Sequence, residues 1–310
     1  MLQTRDFIDE KIKLAIQATE PYIGEGEVAT YIPELSNVDP DSFGLSIVTT
    51  TGEVYNYGDH DKIFSLQSVS KVLSLIMALH DNDPEEVFKK VGTEPTKYEF
   101  NSLIPIEDKA ANPFINAGAI STTSMILGAN SDEKFARLID TYEKLSGFKD
   151  AYMIEEIYKS EMETTDRNKS IAYFLKSIGI FEDNPEDVLD LYIRSCSIAT
   201  TTESMAHLGA VLANKGLDLG SQYNLLSKSE VQIVVSQMAT CGMYENSGRY
   251  LMSVGIPSKS GVSGGILGVV PGVCGIGVYS PRLDETGNSV RGKHLLHILG
   301  QQLDLSIFIN

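Results

Sequence analysis

The sequence has little cysteine, with only Cys196, Cys241 and Cys274 among its 310 residues. An odd number of cysteines at wide spacing argues against a disulfide framework, and no two of them have the C-x-x-C spacing of a metal pair. We therefore predict three reduced and mostly buried thiols.

Long apolar runs are also missing. No window approaches the roughly 20 apolar residues that a membrane-spanning helix needs. Residues 5–13 contain charged side chains at six positions, which is not the pattern of a signal peptide. These two absences predict a cytoplasmic protein that does not enter a membrane.

Positive charge is scarce. The chain has 25 lysines and arginines against 42 acidic residues, which gives a net charge of −17. Nucleic-acid binding depends on clustered lysine and arginine, so we expect no nucleic-acid partner. The net charge says little about a small zwitterionic substrate, which responds to local charges.

Common histidine-based and phosphate-binding motifs are absent. The sequence contains no H-E-x-x-H or Walker A pattern. His294 and His297 have a spacing that could hold a metal on a helix, but no third ligand lies nearby in sequence, so a packing or surface role is expected. The glycine-rich tract 261–277 lacks G-x-G-x-x-G and indicates close backbone approach and a hairpin instead. We therefore predict no metal and no cofactor.

What is present is an alternation of strand-like ends and a helical middle. Helices are predicted at 4–18, 68–80, 117–128, 133–146, 167–178, 187–195, 202–214, 228–238 and 291–303, and strands at 43–50, 54–57, 251–256, 265–270 and 273–279. This order favours an α+β fold, an antiparallel sheet flanked by helices with an inserted all-helical lobe. We expect one compound catalytic unit over 1–310, with a sheet lobe (1–64 and 240–310) and a helical lobe (65–239).

Ser68 is the best candidate nucleophile. It begins an apolar helix, and Lys71 lies three residues later, on the same helix face. Burial lowers the pKa of a lysine, and a neutral lysine can accept a serine proton. The S-x-x-K pattern is weak by itself, since it also occurs at Ser131 and Ser146, and Ser68 could be an ordinary helix cap. The following K-S-G sequence at 259–261, before a strand, strengthens the case, because serine enzymes that recognise penicillin combine these two elements.

The sequence resembles the glutaminase family, which has the serine β-lactamase-like fold. The resemblance runs from about residue 28 to 293 and rests on eight ordered stretches: ATYIP (29–33), LQSVSK (66–71), NPFINAGAI (112–120), SE (160–161) with DRN (166–168), CSI (196–198), CGMY (241–244), KSGV (259–262) with GGIL (264–267), and GNSV (287–290).

The resemblance implies a role for each matched residue in hydrolysing L-glutamine to L-glutamate and ammonia. Ser68 would be the nucleophile and Lys71 its base, the amides of Ser68 and Val262 would form the oxyanion hole, and Tyr244 would relay a proton to ammonia. Lys259 would support the site's charge and lower the pKa of Lys71, with Ser260 beside it. The residues expected to hold substrate, in addition to Tyr244 and Val262, are Tyr31, Gln67, Asn116, Glu161, Asn168 and Tyr192. The family also implies a homodimer or homotetramer.

Two other functions stay open at this point. A penicillin-interacting enzyme or esterase of the same fold is one, although the sequence lacks a Ser-Asp-Asn triplet. A non-enzymatic amino-acid-binding protein is the other, and it would not need Lys71 or the K-S-G strand. Taken singly, the asparagines could be helix caps or first-turn residues, the tyrosines could be packing residues, and Glu161 could be a solvated charge.

Overall fold

A computed structural model describes residues 4–221 and 223–309 of the chain. Twelve helices are present in these residues: α1 (Arg5–Gln17), α2 (Ser70–Asp81), α3 (Pro84–Lys90), α4 (Asn116–Ser124), α5 (Ser131–Ser146), α6 (Glu155–Glu163), α7 (Asp166–Ser177), α8 (Pro185–Cys196), α9 (Thr202–Ala213), α10 (Lys228–Cys241), α11 (Ser247–Val254) and α12 (Val290–Gln302). The same residues contain seven strands: β1 (Gly44–Thr49), β2 (Val54–Gly58), β3 (Phe64–Ser65), β4 (Ala199–Thr200), β5 (Ser258–Ser260), β6 (Gly265–Val270) and β7 (Cys274–Tyr279).

Five strands form one antiparallel sheet in the order β2-β1-β7-β6-β5. Its central pair joins the two ends of the chain, because Leu45 of β1 lies opposite Val278 of β7. The strand pairs predicted at 43–57 and 265–279 each form an antiparallel hairpin. The α+β class with an antiparallel sheet flanked by helices is confirmed. The glycine-rich tract forms the β6–β7 hairpin, as predicted.

Glycines let α9 lie directly on one face of this sheet. A Cβ atom added at Gly275 would come within 2.1 Å of the Ala206 carbonyl oxygen, and one added at Gly277 would come within 2.0 Å of the Thr202 carbonyl oxygen. Real Cβ atoms do not approach backbone so closely, so only glycine allows this contact.

Helices α1 and α12 cover the opposite face. Ile12 of α1 and Leu295 and Leu299 of α12 are fully buried in one apolar cluster with Leu45 and Ile276 of the sheet. A second, larger cluster lies among the helices, and α2 runs through it with its residues from Ser70 to Leu79 buried. Because α9 comes from the mainly helical stretch and yet packs on the sheet, the lobe boundaries drawn from the sequence stay a prediction.

The strand predicted at 251–256 is wrong, because residues 247–254 form helix α11. Tyr250 and Val254 are buried four residues apart, whereas Met252 is 82% exposed, which is a helical period. Gly255 ends the helix in the left-handed conformation, with φ at 72°. A short apolar run does not separate helix from strand, and α3 and α6 also formed where no element was predicted.

The three cysteines are free and buried, as predicted. Among the described residues no helix is long and apolar enough to cross a membrane.

Candidate active site

Ser68 lies in a tight turn that the small β3–β4 sheet leads into. Phe64 and Ser65 pair with β4, and the Leu66 amide donates to the carbonyl of Ile198 at 2.9 Å. Gln67 then takes a left-handed conformation, with φ at 47°, which turns the chain directly into α2. Ser68 is 7% exposed, and no side chain caps the start of α2. The structure therefore does not use Ser68 as a helix cap.

Lys71 is one turn further along α2 and is 1% exposed. Its Nζ donates to Asn116 Oδ1 at 2.6 Å and to the carbonyl oxygen of Phe114 at 3.2 Å. Burial lowers the pKa of Lys71 to about 8, although the charge of Glu161 acts in the opposite direction. A usable fraction of the side chain is thus neutral near pH 7, as a general base requires.

Lys259 lies on β5 and is fully buried next to the same site. Its Nζ donates to the carbonyl oxygens of Ser260 at 2.6 Å and Gly242 at 3.2 Å, and it lies 4.5 Å from the ring centre of Tyr244. Burial, and then the charge of Lys71, hold the pKa of Lys259 well below its ordinary value. The two lysines are therefore electrostatically coupled.

Tyr244 connects the β5 strand to the nucleophile. Its hydroxyl donates to the carbonyl oxygen of Ser260 at 3.3 Å, and an interaction with the Ser68 side chain lowers its pKa against the larger effect of burial. Burial raises the pKa of Tyr244, so the phenol keeps its proton near neutral pH. The Ser260 hydroxyl is buried and has no partner among the described residues.

The Val262 amide reaches the nucleophile turn because residue 261 is a glycine. A Cβ atom at Gly261 would lie 2.8 Å from the Leu66 carbonyl oxygen and 3.5 Å from Gln67 Cβ. The amides of Ser68 and Val262 donate to no acceptor within residues 4–221 and 223–309. Two unpaired amides on adjoining segments can bind a developing oxyanion.

Glu161 is a buried carboxylate in this site, 7% exposed at the end of α6. Gln67 Nε2 donates to its Oε2 at 3.4 Å. Burial raises the pKa of Glu161 to about 7, whereas the Gln67 hydrogen bond and the charge of Lys71 lower it. A cationic group of a ligand would supply the positive charge that this buried carboxylate lacks.

The two asparagines extend the hydrogen bonds that begin at Lys71. Asn116 accepts from the lysine through Oδ1 and donates through Nδ2 to Asn168 Oδ1 at 2.9 Å. Neither residue is a helix cap in the structure, since the α4 cap position is Ile115 and that of α7 is Thr165.

Tyr31 and Tyr192 are the last two residues predicted to bind substrate. Tyr31 is 51% exposed, and the charge of Glu161 helps to raise the pKa of its hydroxyl. Tyr192 is 3% exposed and is coupled to the same carboxylate. Burial raises the pKa of both phenols well above the ordinary value. All twelve residues suggested by the sequence thus belong to one connected region.

Three nearby residues were not singled out from the sequence. Phe100 lies 5.0 Å, ring to ring, from Tyr244 and 5.9 Å from Lys71 Nζ. A Cβ atom added at Gly287, whose φ is 85°, would lie within 4 Å of Tyr244 and Val262. Cys196 also lies here, but burial raises its pKa to about 12, which makes it a poor nucleophile. Gly287 belongs to the GNSV stretch (287–290) that carried the family resemblance and could have been named from it. No local sequence pattern indicates Phe100.

A metal has no ready site here. No group of three or more histidine, cysteine or acidic side chains could hold one in the described part of the chain. His294 stacks on Tyr22 at 3.6 Å, and His297 donates through Nδ1 to the Ser253 carbonyl oxygen. The packing role expected for the two histidines is therefore confirmed.

Comparison with known proteins identifies relatives along nearly the whole chain. A glutaminase family model matches residues 26–308. The chain is 43% identical over 297 residues to Glutaminase 2 of Clostridium perfringens, covering 94% of this chain and 97% of that protein. It is 46% identical over 305 residues to the glutaminase of Clostridium tetani, covering 97% and 100%.

Solved structures of similar sequence have the same fold. The probable glutaminase ybaS superposes with a TM-score of 0.95 at 37% identity, over 99% of this chain and all of that one. A probable glutaminase from Bacillus subtilis complexed with 6-diazo-5-oxo-L-norleucine gives a TM-score of 0.90 at 34% identity, over 99% of both chains. The expected serine β-lactamase-like fold is confirmed.

Proposed function

The chain belongs to the glutaminase family and is an amidohydrolase, and from that premise we propose that it hydrolyses L-glutamine through an acyl-enzyme on Ser68. The observation that carries this mechanism is the fully buried Lys71, one helical turn from Ser68, with its pKa lowered to about 8. A serine and a lysine in this arrangement supply nucleophile and base without histidine or metal.

Acylation begins when neutral Lys71 takes the hydroxyl proton of Ser68. The serine oxygen forms a bond to the side-chain amide carbon of glutamine, and the carbonyl π electrons move to the oxygen. The amides of Ser68 and Val262, which have no acceptor among the described residues, stabilise that oxyanion. Removing one such donor from an acyl-transfer enzyme typically lowers kcat by about 10²–10³-fold.

Ammonia leaves when the carbon–nitrogen bond breaks and the nitrogen gains a proton. Tyr244 supports this role because burial keeps its phenol protonated and because it interacts with the Ser68 side chain. It gives its proton to the leaving nitrogen and regains one from protonated Lys71. Water then attacks the acyl-enzyme, loses a proton to Lys71, and releases glutamate while Ser68 recovers its hydroxyl proton.

Glu161 is proposed to bind the α-ammonium group of the substrate. Its burial and its pKa of about 7 describe a carboxylate that lacks a full counter-charge. Gln67 orients it, and Tyr31 and Tyr192 adjoin it. The linked amides of Asn116 and Asn168 offer neutral donors and acceptors to the α-carboxylate and the reacting amide.

The distribution of these residues supports one catalytic unit over 1–310. Tyr31 comes from the proposed sheet lobe's first segment, Ser68 and Glu161 from the helical lobe, and Lys259 and Val262 from the second sheet-lobe segment. None of the three segments holds the proposed machinery alone.

We also propose that the protein works in the cytoplasm as a homodimer or homotetramer. The three free, buried thiols suit a reducing compartment. The oligomeric state is the family's expected one, and size-exclusion chromatography with light scattering would test it.

Ammonia release from the purified chain, supplied with L-glutamine, L-asparagine or no substrate, tests the proposal. We expect release from glutamine, and one 6-diazo-5-oxo-L-norleucine adduct on the peptide that contains Ser68. Tight glutamine binding without ammonia would instead favour the amino-acid-binding alternative. Hydrolysis of a penicillin or an ester at a higher kcat/KM would favour the other serine-enzyme alternative.

A further inference from the structure

The proposed proton donor, Tyr244, has a backbone conformation that bulky side chains rarely adopt. Its φ is 55°, in the left-handed region, where an aromatic residue is strained. Residues of this kind persist only when the surrounding structure holds them, and they are concentrated at active sites. The contacts that hold the Tyr244 backbone are therefore candidates for a part in the reaction.

The Ser247 hydroxyl closes the turn that contains Tyr244. Its Oγ accepts from the Met243 amide at 3.0 Å and donates to the Tyr244 carbonyl oxygen at 2.7 Å. One hydroxyl thus bonds to backbone groups before and after the Tyr244 α-carbon. Ser247 is 2% exposed, and the Met243 amide has no other acceptor within residues 4–221 and 223–309. The left-handed turn depends on this side chain.

The two ends of the turn are fixed to different elements. Before it, the Gly242 carbonyl oxygen accepts from the Ser260 amide of β5 at 3.1 Å. After it, Ser247 is the first residue of α11. Because both ends are fixed, the backbone conformation of Tyr244 decides where its side chain points. In the observed conformation the phenol reaches the Ser260 carbonyl oxygen and interacts with the Ser68 side chain.

We propose that Ser247 is a positioning residue of the hydrolysis. Its hydroxyl holds the left-handed backbone of Tyr244 and so keeps the phenol beside Ser68 and the leaving nitrogen. This role rests on the proposed function, in which Tyr244 gives that nitrogen its proton. Ser247 bonds to the backbone of Tyr244 and acts on the reaction through that residue.

Removal of the hydroxyl would leave the turn without its closing bonds. The buried Met243 amide would lose its acceptor, and an unpaired buried amide is destabilising. The Tyr244 carbonyl oxygen would keep the backbone amide of Ser247 as a donor. The turn can then relax toward the negative φ that side chains prefer, which changes the direction of the Tyr244 side chain and moves the phenol away from Ser68.

A change of leaving group separates this role from a purely structural one. The nitrogen of glutamine must gain a proton as it leaves, whereas the sulfur of a γ-thioester of L-glutamate leaves as a thiolate. We expect Ser247→Ala to lower kcat/KM at least about tenfold for glutamine and less than about threefold for the thioester. Ammonia release and thiol release measure the two reactions, after subtraction of thioester loss in buffer. Retained thioester hydrolysis also shows that the variant is folded.

A double-mutant cycle tests whether Ser247 acts through Tyr244. Tyr244→Phe should lower kcat/KM for glutamine about 10²-fold or more, and adding Ser247→Ala should lower it less than about twofold further. Ser247→Cys has nearly the size of serine and a weaker hydrogen-bonding group, so its kcat/KM should lie between those of serine and alanine. Ser253→Ala is the matched control, because the Ser253 hydroxyl makes the same bond on α11, to the Tyr250 carbonyl oxygen at 3.0 Å. This control should leave kcat/KM unchanged for both substrates.

Three results would overturn the inference and leave the proposed function standing. One is an unchanged kcat/KM for glutamine in Ser247→Ala while Tyr244→Phe is impaired. Another is an equal loss for glutamine and the thioester in Ser247→Ala, which would mean a general structural role. The third is a full further loss in the Tyr244→Phe background, which would mean that the two residues act independently. Near-normal glutamine hydrolysis by Tyr244→Phe would instead refute the proposed proton donor and, with it, the role of Ser247.

Discussion

The pH dependence of glutamine hydrolysis should report two ionisations, and the structure assigns each to a residue. Lys71 must lose its proton to act as a base, with a pKa of about 8, and Glu161 must be ionised to bind an ammonium group, with a pKa of about 7. Because kcat/KM reports the free enzyme, both affect it. For independent groups, kcat/KM then rises about 50-fold from pH 6 to 7 and about 10-fold from pH 7 to 8.

The turnover number kcat should respond to Lys71 alone, because bound substrate ammonium keeps Glu161 ionised. Its expected rise is about ninefold from pH 6 to 7 and about fivefold from pH 7 to 8. Initial rates of ammonia release across pH 5.5–9.5, at several glutamine concentrations and constant ionic strength, separate the two constants.

Glu161→Gln is the matched test of this assignment. It should raise the KM strongly, since a charge-assisted hydrogen bond contributes about 1.5–3 kcal/mol. It should also reduce the kcat/KM profile to the single Lys71 ionisation. Lys71→Arg should be inactive at every pH, because a guanidinium stays protonated. A level kcat from pH 6 to 8, or near-normal turnover of the arginine variant, would refute the lysine-base mechanism.

Three further substitutions test the nucleophile, the cost of burying the base, and the oxyanion geometry. Ser68→Ala should reduce kcat about 10³-fold or more while leaving glutamine binding measurable by calorimetry, and 6-diazo-5-oxo-L-norleucine labelling of a cysteine in its place would contradict the assignment. Lys71→Met should raise the free energy of unfolding at pH 7 by about 1–2 kcal/mol: the depressed pKa costs about 3 kcal/mol, partly offset by the acceptors left unpaired. The pKa of Lys71 is lower in the native state than in the unfolded state, so the gain in unfolding free energy should be full below about pH 8 and vanish above about pH 10. Denaturant titrations that give the same gain at pH 7 and at pH 10 would refute it. Gly261→Ala should lower kcat at least about tenfold, because its Cβ would meet the Leu66 carbonyl oxygen at 2.8 Å, whereas Gly248→Ala, with nothing within 4 Å, should leave kcat unchanged.

Local sequence patterns predicted the elements and the reacting groups well. The apolar helix after Ser68 indicated a buried Lys71, and the structure buries it fully. The K-S-G sequence precedes the strand at 265–270, as predicted, and its first two residues lie on β5, which was not among the predicted strands. These predictions succeeded because a helix turn or a strand fixes the relation between residues that are close in sequence.

Contacts that depend on tertiary packing could not be predicted from local sequence patterns. Phe100 contacts Tyr244 through a loop that has no distinctive local pattern, and its ring position follows from the fold of distant segments. Burial is the main cause of the lowered pKa of Lys71, as predicted, and the repulsion between the two lysines depresses the pKa of Lys259 as well.

The surroundings of the two lysines matter for catalysis. Burial, and then the charge of Lys71, hold the pKa of Lys259 well below that of an ordinary lysine. The charge that forms on Lys71 faces ionised Glu161, which raises the pKa of Lys71 and so favours the transfer. Lys259 meanwhile donates to the carbonyl oxygens of Gly242 and Ser260, which fixes β5 and the Val262 amide beside the nucleophile. Lys71 is thus the base that gains and loses a proton, and Lys259 is the hydrogen-bond donor that positions β5.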